Sequence, residues 1–72
     1  MTPEEIKKLQ AFLRAKFGNP SLDVRARPRK TDSAEVYLGE EFIGVIYLDE
    51  EDDERSFNFQ MAILEFDLEE ID

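Results

Sequence analysis

Ala34-Glu35-Val36-Tyr37-Leu38-Gly39-Glu40-Glu41-Phe42-Ile43-Gly44-Val45-Ile46-Tyr47-Leu48 decides the fold of this chain. Ala34, Val36 and Leu38 alternate with Glu35 and Tyr37, the period of two that marks a half-buried strand. Gly39-Glu40-Glu41 is a tight connection, and Phe42–Leu48 follows as a strand that is apolar on both faces. Phe42, Ile46 and Leu48 fall on one face, and Ile43, Val45 and Tyr47 on the other. Two-sided apolarity predicts a central strand, or one whose second face a partner covers. A loop of two residues and one of three are both compatible with the spacing. The choice sets the faces, because a slip of one residue exchanges them.

Upstream, Leu22, Val24 and Ala26 alternate with Asp23, Arg25 and Arg27 over residues 22–27, a strand with a charged outer face. Pro28 ends it or marks it as an edge, and residues 28–33 read as a polar turn before the strand at 34–38. Before this, residues 3–17 read as a helix. Thr2 is a suitable N-cap, Pro3 suits the first turn, and Glu5 completes a capping box. Ile6, Leu9 and Phe12 or Leu13 form its apolar stripe. Gly18 stands at the C-cap, and Asn19-Pro20 blocks continuation.

Downstream, Asp49–Glu54 is an unbroken acidic run that reads as an exposed loop, residues 49–54. Residues 55–66 read as a fourth strand, in which Phe57, Phe59, Met61 and Ile63 alternate with polar or small residues. The phase then changes, since Leu64, Phe66 and Leu68 are the even positions. A β-bulge near Ile63-Leu64 accounts for this, as does a short helix from about Gln60. The expected fold class is α+β: an N-terminal helix packed on an antiparallel β-meander of three to four strands, in one domain spanning residues 1–72.

Composition narrows the function. The chain has 72 residues with neither Cys nor His. Thiolate metal sites and disulfides are excluded, as is histidine general-base chemistry. At this length about 60% of the unfolded chain's surface is buried on folding, so reinforcement from self-association or a partner is expected. The chain is 42% hydrophobic with a formal net charge of −9. No apolar stretch approaches the roughly 20 residues of a membrane span, and Met1-Thr2-Pro3-Glu4-Glu5 lacks the features of a signal peptide. A cytoplasmic, non-membrane protein is expected.

The charge is unevenly distributed. Residues 1–30 hold eight bases and three acids, and residues 31–72 hold one base and fifteen acids, so +5 and −14 sum to −9. One reading is a dipolar surface that steers a charged partner or aligns two copies. The other is two solvated faces, with Glu35 pairing Arg25 or Arg27 across strands. Arg25, Arg27, Arg29 and Lys30 form the densest basic cluster. Beside Tyr37, they would grip a nucleic-acid backbone and stack a base. The helix-then-strands order resembles the opening of a double-stranded-RNA-binding domain, without that domain's basic C-terminal helix. A calcium loop beginning at Asp49 fails at the position that needs Gly, which is Glu54, and at the position that needs Glu, which is Gln60. Ser21, Ser33 and Ser56 have no His to activate them. Glu65 and Asp67, between Leu64, Phe66 and Leu68, are the best-placed carboxylates for acid–base work. No catalytic residue, cofactor or metal ligand is assigned.

The segments Glu4–Leu9 and Phe17–Pro20, then Val24–Pro28, Ala34–Val45 and Ser56–Leu64, together resemble a short domain-of-unknown-function family of alphaproteobacteria. The resemblance covers most of the chain and implies a small stand-alone bacterial protein. The expected function is a non-catalytic accessory or protein-interaction module that binds a protein partner or a second copy. Nucleic-acid binding through the basic cluster is the alternative. Protein binding predicts an exposed apolar patch around Tyr47, Phe57 or Phe59. Nucleic-acid binding predicts a basic face that Glu35 does not neutralise, and an enzyme predicts an enclosed pocket with a perturbed carboxyl.

Overall fold

A computed structural model describes residues 1–70. Helix α1 (Pro3–Phe17) leads into strands β1 (Leu22–Arg27), β2 (Lys30–Leu38), β3 (Glu41–Asp49) and β4 (Ser56–Gln60), and a short helix α2 (Glu65–Glu69) follows. The strands form one antiparallel sheet in sequential order β1-β2-β3-β4. The fold is therefore α+β, with α1 on one face of a four-stranded meander.

Local chemistry sets the ends of α1. Thr2 Oγ1 accepts from the Glu5 N–H at 3.1 Å, and Glu5 Oε1 accepts from the Thr2 N–H at 2.9 Å, the reciprocal capping box. Gly18 closes the helix in the left-handed conformation at φ 60°, where a Cβ would be strained. The stripe Ile6, Leu9 and Leu13 packs on Leu22 and Val24 of β1, Ala34 and Val36 of β2 and Ile46 of β3. Only six apolar side chains among the described residues are buried, so each carries a large share of the stability.

Two strand boundaries differ substantially from the sequence expectation, and the others by no more than one residue. The connection between β1 and β2 is the two residues Pro28 and Arg29, not the six residues 28–33, because Arg27 pairs with Lys30. Lys30–Ser33 is extended, with Lys30 paired to Arg27 of β1 at one end and Ser33 paired to Tyr47 of β3 at the other. Where the β1 register is interrupted after Ala26, β3 still holds the chain by pairing Tyr47 with Ser33. Likewise β4 is short. It ends at Gln60 rather than 66, residues 61–64 leave the ladder, and the helix that competed with a bulge begins at Glu65 rather than Gln60.

The hairpin between β2 and β3 has a two-residue loop, Gly39-Glu40, with Leu38 opposite Glu41. Gly39 has φ 64°, the positive angle that the first position of a II′ turn requires. A bulge then places Phe42 opposite Tyr37 and Gly44 opposite Val36, leaving Ile43 unpaired. This exchanges two faces of the expected alternation. Phe42 lies with Val45 and Tyr47 on the face away from α1, its ring edge-on to Tyr37 at 5.7 Å. Ile43 packs against the core.

Candidate functional site

The basic cluster lies mostly on the sheet face away from α1, and neighbouring carboxylates neutralise its strand members. The Arg25 guanidinium sits 3.8 Å from the Tyr37 ring centroid and pairs with Asp23 at 3.2 Å and Glu40 at 4.0 Å. Arg27 donates to Ser33 Oγ at 3.1 Å and lies 3.9 Å from Glu35. The Tyr37 hydroxyl donates to Glu35 at 3.2 Å. Of the expected cross-strand pairs with Glu35, the one to Arg27 forms an ion pair, while Arg25 is opposite Glu35 in register but turns to Asp23. Arg29 and Lys30 stand exposed at the hairpin tip.

The three aromatic residues around any of which an exposed apolar patch was expected lie on two faces. Tyr47, 42% exposed, is on the outer face with Phe42 and Val45. Phe57 and Phe59 are on the α1 face, opposite Leu48 and Ile46. Phe57 packs on the core with the Arg55 guanidinium 5.4 Å from its ring centroid. Phe59 lies across Gly44, where a Cβ would stand 2.6 Å from its Cε1.

The Arg55 guanidinium also donates to the Glu5 carboxylate, tying β4 to the first turn of α1. That hydrogen bond, with the one from the Thr2 N–H, lowers the Glu5 pKa from 4.5 to about 2. The same partner raises the Arg55 pKa.

One concavity is a feature that the sequence alone does not isolate. It is an open groove of about 760 Å³ between the outer face of β3 and the segment following β4. Phe42, Val45 and Tyr47 form one wall, and Met61, Ile63, Leu64 and Leu68 the other, with Glu41 and Asp67 at its margin. The apolar residues of the second wall are between 51% and 65% exposed, and Phe66 is 63% exposed. In α2, Asp67 accepts the Leu64 N–H at 2.9 Å and its own N–H returns to the Leu64 carbonyl, so the turn is held by local hydrogen bonds. The signal in the sequence was the phase change at Ile63-Leu64, where period-two alternation stops serving a two-faced strand.

The two edges of the sheet differ. On β1, Gln10 Oε1 accepts the outward Val24 N–H at 2.9 Å and Arg14 Nε donates to the Leu22 carbonyl at 2.7 Å. Side chains of α1 thus occupy that edge. The outer edge of β4 pairs with no strand among the described residues. No three acidic side chains converge as a metal-binding group among the described residues. No helix there is long and apolar enough to cross a membrane.

A family model described as a protein of unknown function, DUF3126, matches residues 5–67. No curated protein matches the chain, and no solved structure does.

Proposed function

The chain belongs to the DUF3126 family of proteins of unknown function, and from that premise we propose that it is a non-catalytic protein-interaction module whose contact surface is the apolar groove beside β3 and β4. One observation carries the reading: Met61, Ile63, Leu64, Phe66 and Leu68 stand exposed in close succession, and all but Phe66 line one groove with Phe42, Val45 and Tyr47 of the outer sheet face. Exposed apolar groups at this density on so small a domain favour burial against another protein. The unpaired edge of β4 lies next to them and supports strand addition at the same place. The proposed setting is the alphaproteobacterial cytoplasm. Nucleic-acid binding is less favoured because Asp23, Glu35 and Glu40 neutralise Arg25 and Arg27, and a duplex backbone would have to displace those pairs.

The test is affinity capture of the tagged chain from native lysate, in parallel with an Ile63→Asp, Leu64→Asp variant, with and without nuclease. The reading expects a protein that survives nuclease and is lost from the double variant. Capture that nuclease abolishes and that Arg25→Glu with Arg27→Glu removes would overturn it in favour of the basic cluster.

A further inference from the structure

The groove and the exposed side of α1 are complementary in shape class and in charge, and they belong to the same chain. On α1, Lys8, Phe12 and Lys16 follow at i, i+4 and i+8, a spacing that sets them in one row on the helix surface. Phe12 is 61% exposed, and Lys8 and Lys16 are exposed with no ion pair among the described residues. Phe12 thus gives this side of α1 an exposed apolar anchor, and Lys8 and Lys16 give it positive margins. At the other end of the chain, the groove presents Phe42, Tyr47 and Leu64, bordered by Glu41 and Asp67. Residues 40–70 as a whole carry twelve carboxylates and one base, Arg55.

Resting on the interaction reading above, we propose that the occupant of this groove is a second copy of the chain, seated head to tail. The α1 of one molecule lies along the groove of the next, with Phe12 against its apolar wall and Lys8 and Lys16 toward the carboxylates.

Three observations select this arrangement. The groove opens on the sheet face opposite α1, so a molecule cannot place its own helix there and the contact must form between molecules. A two-fold pairing of groove with groove brings two strongly acidic segments together, and a two-fold pairing of helix with helix brings Lys8 and Lys16 against their own images. Both juxtapose like charges, whereas the head-to-tail contact opposes unlike ones. The +5 and −14 halves of the sequence are then the two ends of one repeating contact. Such a heterologous interface uses different surfaces on each partner, so each molecule keeps one unsatisfied surface until a ring closes.

The experiment is sedimentation velocity on the full chain from low micromolar to near-millimolar concentration, at low and high salt. The variants are Phe12→Glu, which alters only the helix surface, and Leu64→Lys, which alters only the groove. Both positions are exposed, and circular dichroism confirms that each variant is folded. A Lys8→Glu, Lys16→Glu variant repeats the helix-side test without touching an apolar residue. The wild-type mass is expected to rise above the 8.4 kDa monomer with concentration and to fall back as salt increases. Phe12→Glu and Leu64→Lys alone are each expected to lose assembly. Mixed in equal amounts they are expected to form a dimer and nothing larger, since between them they retain one intact helix surface and one intact groove. Assembly of Phe12→Glu at wild-type strength would overturn the proposal in favour of a symmetric contact. A wild type that stays monomeric throughout would also overturn it. In that case, a protein captured by wild type and lost from Leu64→Lys leaves the interaction reading standing, and its absence removes both.

Discussion

Gly44 sits where β3 and β4 approach too closely for a side chain. A Cβ there would stand 2.5 Å from the Gln60 carbonyl oxygen and 2.6 Å from Phe59 Cε1, and the first of these is backbone that cannot swing aside. Gly44→Ala is therefore expected to lower stability by about 1–3 kcal/mol, the usual range for overpacking, measured as a reduced midpoint in urea. Gly39→Ala meets no atom within 4 Å but must adopt φ near 64°, and is expected to cost about 1 kcal/mol through backbone strain alone. Comparing the two separates crowding from conformation. Glu5 supplies the pH dependence at this scale. Its pKa falls from 4.5 to about 2 through the Arg55 hydrogen bond and then that of the Thr2 N–H, so the folded form binds fewer protons than the unfolded one in that interval. Its contribution is complete above about pH 4.5 and disappears as pH falls through about 2. Thermal melting of wild type and Arg55→Ala should differ at neutral pH and converge toward pH 2; parallel curves would contradict this. The capping box and the Gly18 C-cap were readable in the sequence because each is a local pattern, whereas the two-residue loop at Gly39-Glu40 was left open against a three-residue one. The Arg55–Glu5 pair was not, since fifty residues separate its members.

At the scale of elements, the boundaries that moved were those set by pairing rather than propensity. Lys30-Thr31-Asp32-Ser33 has turn composition, yet it is strand, paired at Lys30 with Arg27 of β1 and at Ser33 with Tyr47 of β3. Phe42 and Ile43 changed faces because a bulge of one residue is invisible to an alternation count. Residues 61–66 carry enough apolar side chains for a strand, but β3 pairs with β4 only from Val45 to Asp49, so they have no ladder partner. By contrast α1 was legible throughout, because its caps and stripe lie within its own residues. The contact of α1 with the β1 edge leads to a further prediction. Gln10→Ala removes the acceptor for the partly buried Val24 N–H and is expected to cost about 1 kcal/mol, with faster hydrogen exchange at Val24 as its local signature. Unchanged exchange there would mean that the edge is protected by other means.

For the whole molecule, the radius of gyration is 13.4 Å, with principal extents of 44 × 24 × 24 Å. A compact chain of this length has a radius of about 11 Å. Residues 61–70 have exposed side chains, and their short helix has no buried residue. Ending the chain at Gln60 removes none of the six core residues. The shortened protein is expected to keep a cooperative melt within a few degrees of the full chain, and small-angle scattering should give a radius close to the compact value. A collapse of the melt would show that the segment is needed to hold β4. The charge asymmetry was legible from composition alone, but the groove was not, because it is formed by residues of β3 and of the terminal segment that only the topology brings together. The two unequal edges of the sheet have a consequence for polymerisation. With Gln10 and Arg14 occupying the Val24 N–H and the Leu22 carbonyl of β1, a strand arriving at that edge must first displace them, so in backbone pairing the folded domain resembles a monomer with one readily reactive end. Two such molecules joined β4 to β4 would present only their β1 edges, each guarded by Gln10 and Arg14. Sheet extension therefore terminates at the pair, and a folded domain that meets a growing cross-β fibre would act as a chain stopper rather than as the next link.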